Sequence, residues 1–353
     1  MKQGSVNVLK RPLSLHERSR DESIWKLCGN LLCNDVERVL LPELKLSEEK
    51  LPQVLKFFSE QKQGSLAFAT LEAIRKNCTI QLKASHYTLG ITSCARSNKS
   101  QLALRLLEVM PQAKVQPNIY SYSTAISACE KSRQWQQAMT LFEEMPNATV
   151  QPNDISYNAA ISACEKGGQW HRAFNLLQGM SEAKVQQTVI SYNATISSCE
   201  KAGQWQQALK LFEAMPRANV QPDVISYSAA ISACEKAGQW KQAMKLFEAM
   251  SLTEVQPDVI SYNASISACE DGAQWQQALD LFEAMPKAKL QRDVISYDAA
   301  MSACEEGGQW QLCMWLLEAM LEATIQPSHI CYSAAISTCE KAMAASIKPV
   351  EAG

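Results

Sequence analysis

No apolar run in this 353-residue sequence approaches the roughly 18 residues that a membrane-spanning helix requires, so no such helix is expected. Positive charge is not in excess. The chain has 34 Lys and Arg against 36 Asp and Glu, a formal net charge of -2, so any surface that attracts phosphates must be local. The only histidines are His16, His86, His171 and His329, and no two cysteines, Cys28 and Cys33 included, stand in a Cys-x-x-Cys spacing. A recognisable metal motif is thereby excluded. The first 20 residues lack a secretory apolar core and carry Lys2, Lys10, Arg11, Arg18 and Arg20 against Glu17, with Ser5, Ser14 and Ser19 nearby. That composition suits either an organelle-targeting segment or a plain basic tail. With 46% hydrophobic and 20% charged residues, the chain has ample material for a folded body.

What the sequence does contain is a repeat, running from about Ala84 to the C-terminus with a period of 35 residues, as Trp170, Trp205 and Trp240 show. The unit from Val189 reads VISYNATISSCEKAGQWQQALKLFEAMPRANVQPD. In this frame the units span 84–118, 119–153, 154–188, 189–223, 224–258, 259–293 and 294–328, followed by a truncated copy and tail over 329–353. Residues 49–83 read as a degenerate copy with an insertion, and 1–48 as an N-terminal extension.

Within one unit, Tyr192, Thr195, Ile196 and Cys199 lie at i, i+3, i+4 and i+7, the stripe of a first helix. The segment Lys201-Ala202-Gly203-Gln204 breaks it. A second stripe follows in Trp205, Ala208, Leu209, Phe212 and Met215, and Pro216 and then Val220-Gln221-Pro222-Asp223 are expected to end that helix. Asp223 is placed to N-cap the next unit. Neither helix can bury its stripe alone, so successive hairpins must stack into an all-α superhelical solenoid with a long groove.

The unit length and the recurring Ser-Tyr-Asn, Ala-Gly, Ala-Leu-x-Leu-Phe-x-x-Met and Val-x-Pro-Asp elements closely resemble the pentatricopeptide repeat family. The nearest competing pattern is the tetratricopeptide repeat, a peptide-binding hairpin of about 34 residues with a different signature. The resemblance implies a right-handed solenoid that binds single-stranded RNA, one base per repeat, with protein and RNA running parallel. It also implies an organellar setting, in chloroplast or mitochondrion, and work in RNA processing, stabilisation or translation.

By the same resemblance the fifth and last residues of each unit read the base. The pairs are Thr88 with Asn118, Ser123 with Asn153, Asn158 with Thr188, Asn193 with Asp223, Ser228 with Asp258, Asn263 with Asp293, and Asp298 with Ser328. Hydroxyl, amide and carboxylate offer different donor and acceptor patterns to base edges. Asn, Asp, Ser and Thr are also good N-caps, so the last residue has a purely structural reading as well. The family's pairings translate the seven units into 5′-A-A-Y-U-G-U-N-3′, with Asp298 and Ser328 unassigned. The second residue of each unit, Tyr120, Ile155, Ile190, Ile225, Ile260, Ile295 and Ile330, is implied to sandwich bases; a first-turn core role is the alternative. Ser85 departs from that pattern.

Arg96, Lys131, Lys166, Lys201 and Lys236 end the first helices and are implied to contact phosphates, although a cation there also suits the helix dipole. Asp271 and Glu306 reverse the sign at the next two sites. Glu130, Glu165, Glu200 and Glu235 are expected on a separate edge.

Eight of the 13 cysteines, Cys94, Cys129, Cys164, Cys199, Cys234, Cys269, Cys304 and Cys339, recur at one site. Helices packed about 8–10 Å apart hold such a row beyond disulfide reach, and a row cannot converge on zinc, so they read as core. Trp135, Trp170, Trp205, Trp240, Trp275 and Trp310 share a stripe with core residues and read as packing between repeats. Some members of the resembled family carry catalytic domains. This chain ends about 25 residues into its last unit and has no His-x-Glu with Cys-x-x-Cys, so a binding protein without cofactor is expected. Its expected partner is single-stranded RNA, with other RNA-processing proteins recruited to a monomer. A protein-binding repeat scaffold is the rival.

Overall fold

The side chain that closes each unit opens the next helix. Asp223 Oδ1 accepts the Ser226 N–H at 2.9 Å, and Ser226 Oγ accepts the Asp223 N–H at 3.1 Å. The same reciprocal box joins Asn118 with Ser121, Asn153 with Ser156, Thr188 with Ser191, Asp258 with Ser261, and Asp293 with Ser296. Each box satisfies two backbone donors that helix geometry leaves orphaned, an effect of about 1 kcal/mol.

The computed structural model describes residues 50–77 and 80–347, all with side chains except 271 and 344–347; the extension expected over 1–48 lies outside the described residues. Among them there are 17 helices and no strand. In chain order the pairs are α1 (Leu51–Glu60) with α2 (Gly64–Asn77), α3 (Ala84–Arg96) with α4 (Ser100–Gln112), and α5 (Ile119–Lys131) with α6 (Trp135–Asn147). Next come α7 (Asp154–Lys166) with α8 (Trp170–Glu182), α9 (Val189–Lys201) with α10 (Trp205–Arg217), and α11 (Val224–Glu235) with α12 (Trp240–Leu252). The last are α13 (Val259–Asp271) with α14 (Trp275–Lys287), α15 (Val294–Glu306) with α16 (Trp310–Glu322), and α17 (His329–Ile347).

The chain divides into two compact units, residues 1–152 and 153–353. In the first, α1, α3 and α5 pack in succession, and α2 and α4 each bridge one first helix to the next. In the second, α7, α9, α11, α13, α15 and α17 form the same kind of row, bridged by α8, α10, α12, α14 and α16. Each unit is an all-α solenoid of stacked hairpins, because a hairpin's two apolar stripes face different neighbours.

Both helices of a hairpin close in the same way. Gly203 takes φ +68, and the Gln204 N–H reaches back to the Cys199 carbonyl at 2.9 Å while Gly203 N–H reaches Glu200 at 3.1 Å. This is the Schellman arrangement. After the second helix, Asn219 at φ 59 repeats it, with Val220 bonded to Met215 at 2.9 Å and Asn219 to Pro216 at 3.0 Å. Pro216 therefore does not end the helix as expected from sequence. It lies one residue before the final helical residue, Arg217, where its ring is tolerated and only the Phe212 carbonyl loses a helical donor.

Where four units place Gly168, Gly203, Gly238 and Gly308 in the left-handed region, Ala273 stands at φ 53. A Cβ there costs about 1–2 kcal/mol. Ala273→Gly is accordingly expected to stabilise the protein by about 1 kcal/mol, read from the urea midpoint; an unmoved or lowered midpoint would show that the strain is absorbed elsewhere.

The expected first-helix stripe is core: Thr195, Ile196 and Cys199 are fully buried and Tyr192 nearly so. In α10 the buried residues are Ala208, Leu211 and Met215, with Leu209 and Phe212 only partly buried, so the stripe is turned slightly from its expected position. Edge-to-face rings, Phe212 on Tyr227, Phe247 on Tyr262 and Phe282 on Tyr297, at 4.7–5.0 Å, tie second helices to the next hairpin. Seven of the row cysteines are buried and Cys339 is half-buried. Burial pushes the Cys94 thiol up to about 12 and those of Cys129, Cys164, Cys199, Cys234 and Cys269 to about 11, so they remain unreactive packing groups. The Trp240 ring lies across Gly272 so closely that a Cβ there would sit 2.7 Å from Trp240 Cγ. Trp275 covers Gly307 likewise, which makes the tryptophans covers between hairpins; Trp310 alone of the six is exposed.

Candidate functional site

The second residue of each unit points to solvent. Ile190, Ile225, Ile260 and Ile295 are 64%, 57%, 62% and 61% exposed, and Tyr120, Ile155 and Ile330 are exposed too. A first-turn core role is ruled out. Isolated exposed apolar residues are ordinary, but a large one at the same site of successive hairpins is a periodic apolar row.

Three residues further along the same helix face stands the fifth residue, held against the last residue of its unit. Asn193 Nδ2 donates to Asp223 Oδ1 at 3.0 Å, and Asn263 Nδ2 to Asp293 Oδ1 at 3.1 Å. Ser228 Oγ donates to Asp258 Oδ1 at 3.2 Å, Ser328 Oγ to Asp298 Oδ1 at 2.6 Å, and Asn158 Nδ2 to Thr188 Oγ1 at 3.4 Å. These five pairs, chosen from sequence positions 30 residues apart, are in direct contact. Thr88 behaves differently, donating to the Ala84 carbonyl at 2.9 Å, while Asn118 caps α5. Ser123 is buried in the first unit and Asn153 caps α7 in the second.

A third participant escaped the sequence reading. Ser226 Oγ donates to Asn193 Oδ1 at 2.6 Å, and Ser296 Oγ to Asn263 Oδ1 at 2.7 Å, so the capping serine also fixes the amide. The signal was present in the Asx-x-x-Ser spacing of a capping box. All bonds drawn to the Asp223 side chain from Asn193 and Ser226 fall on Oδ1. Burial alone would raise the Asp223 carboxyl, but donation from the Ser226 and Ile225 N–H groups, the Asn193 amide and the Ser226 hydroxyl outweighs it and holds the group below its ordinary value. Asp293 is held down by the same balance. Both are ionised acceptors at neutral pH. In the repeat 154–188 Asn158 Oδ1 is buried with no hydrogen-bond partner, because Ser191 Oγ donates instead to the Thr188 carbonyl at 2.7 Å.

The cations at the ends of the first helices are not on an edge apart from the glutamates. Lys201 Nζ lies 2.7 Å from Glu165 Oε1, and Lys236 Nζ 2.5 Å from Glu200 Oε1, each lysine half exposed and each glutamate largely covered. Every such pair links one hairpin to the next. Lys341 and Glu305 repeat it at 3.4 Å. Ala95 stands where a glutamate would meet Lys131, and neither Lys131 nor Arg96 forms an ion pair among the described residues.

Family models match much of this chain: the pentacotripeptide-repeat region of PRORP over residues 74–195, the PPR repeat family over 187–236 and 223–271, and the pentatricopeptide repeat domain over 280–342. The chain belongs to the pentatricopeptide repeat family. Among solved structures, this pentatricopeptide repeat protein is similar to PPR10 from maize, with TM-score 0.54 and 18% identity over 90% of this chain and 50% of that one. It is also similar to PPR10 in complex with an 18-nt psaJ RNA element, with TM-score 0.59 and 18% identity over 94% and 54% of the two chains. At that identity the likeness is one of fold. The chain spans about half the length of these structures. No curated protein matches it.

Proposed function

We propose that this pentatricopeptide repeat protein binds single-stranded RNA selectively, one base per repeat, and acts on organellar RNA in processing, stabilisation or translation. The observation that carries the reading is the direct contact of fifth and last side chains beside a row of exposed isoleucines. In this reading each base lies between two apolar plates, such as Ile190 and Ile225, which give sequence-tolerant affinity. The polar pair between them, Asn193 with Asp223, discriminates the base edge. Asn158 Oδ1, an acceptor without a donor, suits the exocyclic amine or imino N–H of a pyrimidine. The RNA-bound PPR10 structure supports the nucleic-acid class through its shared fold. Selection from a random single-stranded pool should enrich 5′-A-A-Y-U-G-U-N-3′. No enrichment of the A-A-Y-U-G-U core would sink the reading and favour the protein-binding scaffold.

The ion pairs set the expected salt dependence. Five cations each meeting a phosphate would give log K a slope of about -3.5 against log salt, and three would give about -2.1. Lys201 and Lys236 are already compensated by Glu165 and Glu200, so the slope should lie nearer the smaller value. Glu165→Gln, which releases Lys201, is expected to steepen it by about 0.7 and to tighten binding at low salt. An unchanged slope would assign Lys201 to the junction between hairpins and not to phosphate.

A further inference from the structure

The face made by the second helices carries a cleft that the reading side chains do not use. It lies within the first unit between α4 and α6, with a volume of about 390 Å³. Leu104, Leu107, Leu141, Pro111, Pro117 and Tyr122 line it. Its unsatisfied polar groups are acceptors. Pro111 has no N–H to give the Leu107 carbonyl four residues before it. Gln137, also in the lining, has a buried Oε1 with no hydrogen-bond partner. Glu108 and Glu144 complete the cleft; both are exposed, and neither forms an ion pair among the described residues. The acid at Glu144 is peculiar to this place, since the matching residue elsewhere is Val109, Gly179, Ala214, Ala249, Ala284 or Ala319.

The second unit shows what such a place accepts. Five repeat lengths further on, Phe282 stands where Leu107 stands, Pro286 where Pro111 stands, and Arg292 where Pro117 stands. Pro286 likewise withholds an N–H from the Phe282 carbonyl, and Arg292 Nε supplies one at 3.0 Å, with its guanidinium 4.0 Å above the Phe282 ring. At the same position Gln187 Nε2 donates to the Leu177 carbonyl at 2.7 Å. Pro117 has no side-chain donor, so the cleft beside it keeps the acceptors and lacks the donor.

We propose that this cleft takes an arginine side chain of a partner protein. The guanidinium donates to the Leu107 carbonyl and Gln137 Oε1 and is offset by Glu108 and Glu144, with its aliphatic stem against Leu104 and Leu141. A planar fork of five N–H donors fits several fixed acceptors better than the compact, strongly hydrated ammonium of lysine.

The test uses the full chain, labelled at leucine methyl groups, titrated with the capped peptide acetyl-Gly-Arg-Gly-amide. Saturable shifts at Leu107 and Leu141 are expected. The citrulline peptide, of the same shape without the charge, should bind about tenfold more weakly, as should the arginine peptide to Glu144→Ala. Glu144→Ala installs the residue that four other repeats carry, so the fold is retained. Pro117→Arg, copying Arg292, should fill the cleft from within and abolish the peptide shifts while leaving RNA affinity unchanged. Absence of saturable shifts, equal binding of the citrulline peptide, or indifference to Glu144→Ala overturns the proposal. Displacement of the peptide by an A-A-U-U-G-U oligonucleotide overturns it in favour of RNA.

Discussion

Replacing Ile190, Ile225 and Ile260 together by Ala is expected to weaken binding of single-stranded RNA by about a hundredfold or more, at about 1 kcal/mol for each base deprived of its apolar plate. The size follows from the exposure of these side chains: none packs in the core, so none owes its place to stability. Thermal melting should barely move or should rise slightly, because Ala exceeds Ile in helix propensity by a few tenths of a kcal/mol. Affinity by titration calorimetry and melting of the same samples give the two readouts. Unchanged affinity with unchanged melting would remove the isoleucines from the interface. A large fall in melting temperature would return them to a structural role that their exposure denies.

The hairpins were legible because burial writes itself into the sequence with period 3.6, and thirty-five-residue copies repeat the message. Tyr192, Thr195, Ile196 and Cys199 were recognisable for that reason and are buried. Pro216 was misread because the exclusion of proline from helices relaxes one residue before the helix ends, where a single carbonyl loses its helical donor. Whether Ile190 faced core or solvent was undecidable from spacing alone: a first-turn residue's surroundings depend on where the neighbouring hairpin lies, and that is a property of the stack. The Lys201–Glu165 pair was invisible for the same reason. Residues 36 apart have no geometric relation until the hairpins are docked. The candidate reading pairs were named from resemblance, and their mutual contact depends on one unit's N-cap being carried back to the middle of its first helix by the turn of a whole hairpin.

That contact also makes the reading testable by one exchange. Units 189–223 and 224–258 both end in Asp, yet carry Asn193 and Ser228 at the fifth position, and the family pairing assigns them U and G. Asn193 makes two bonds, to Asp223 Oδ1 and from Ser226 Oγ, whereas Ser228 makes one, to Asp258 Oδ1. In the serine unit the capping hydroxyl of Ser261 turns instead to the Asp258 carbonyl at 2.8 Å and to its Oδ1 at 3.0 Å, so the network closes without the amide. Asn193→Ser can therefore adopt an arrangement that the chain already uses next door, and the stability cost should stay within about 1 kcal/mol. Specificity should change much more. The fourth base of the site should move from U to G with a discrimination of about 1–3 kcal/mol, because a donor and acceptor facing the base edge are exchanged for a single hydroxyl. The measurement is the affinity of both proteins for A-A-U-U-G-U and A-A-U-G-G-U oligonucleotides, with melting as the control. Equal loss on both sequences, or a retained preference for U at unchanged melting temperature, would show that Asn193 orients the Asp223 cap without reading the base.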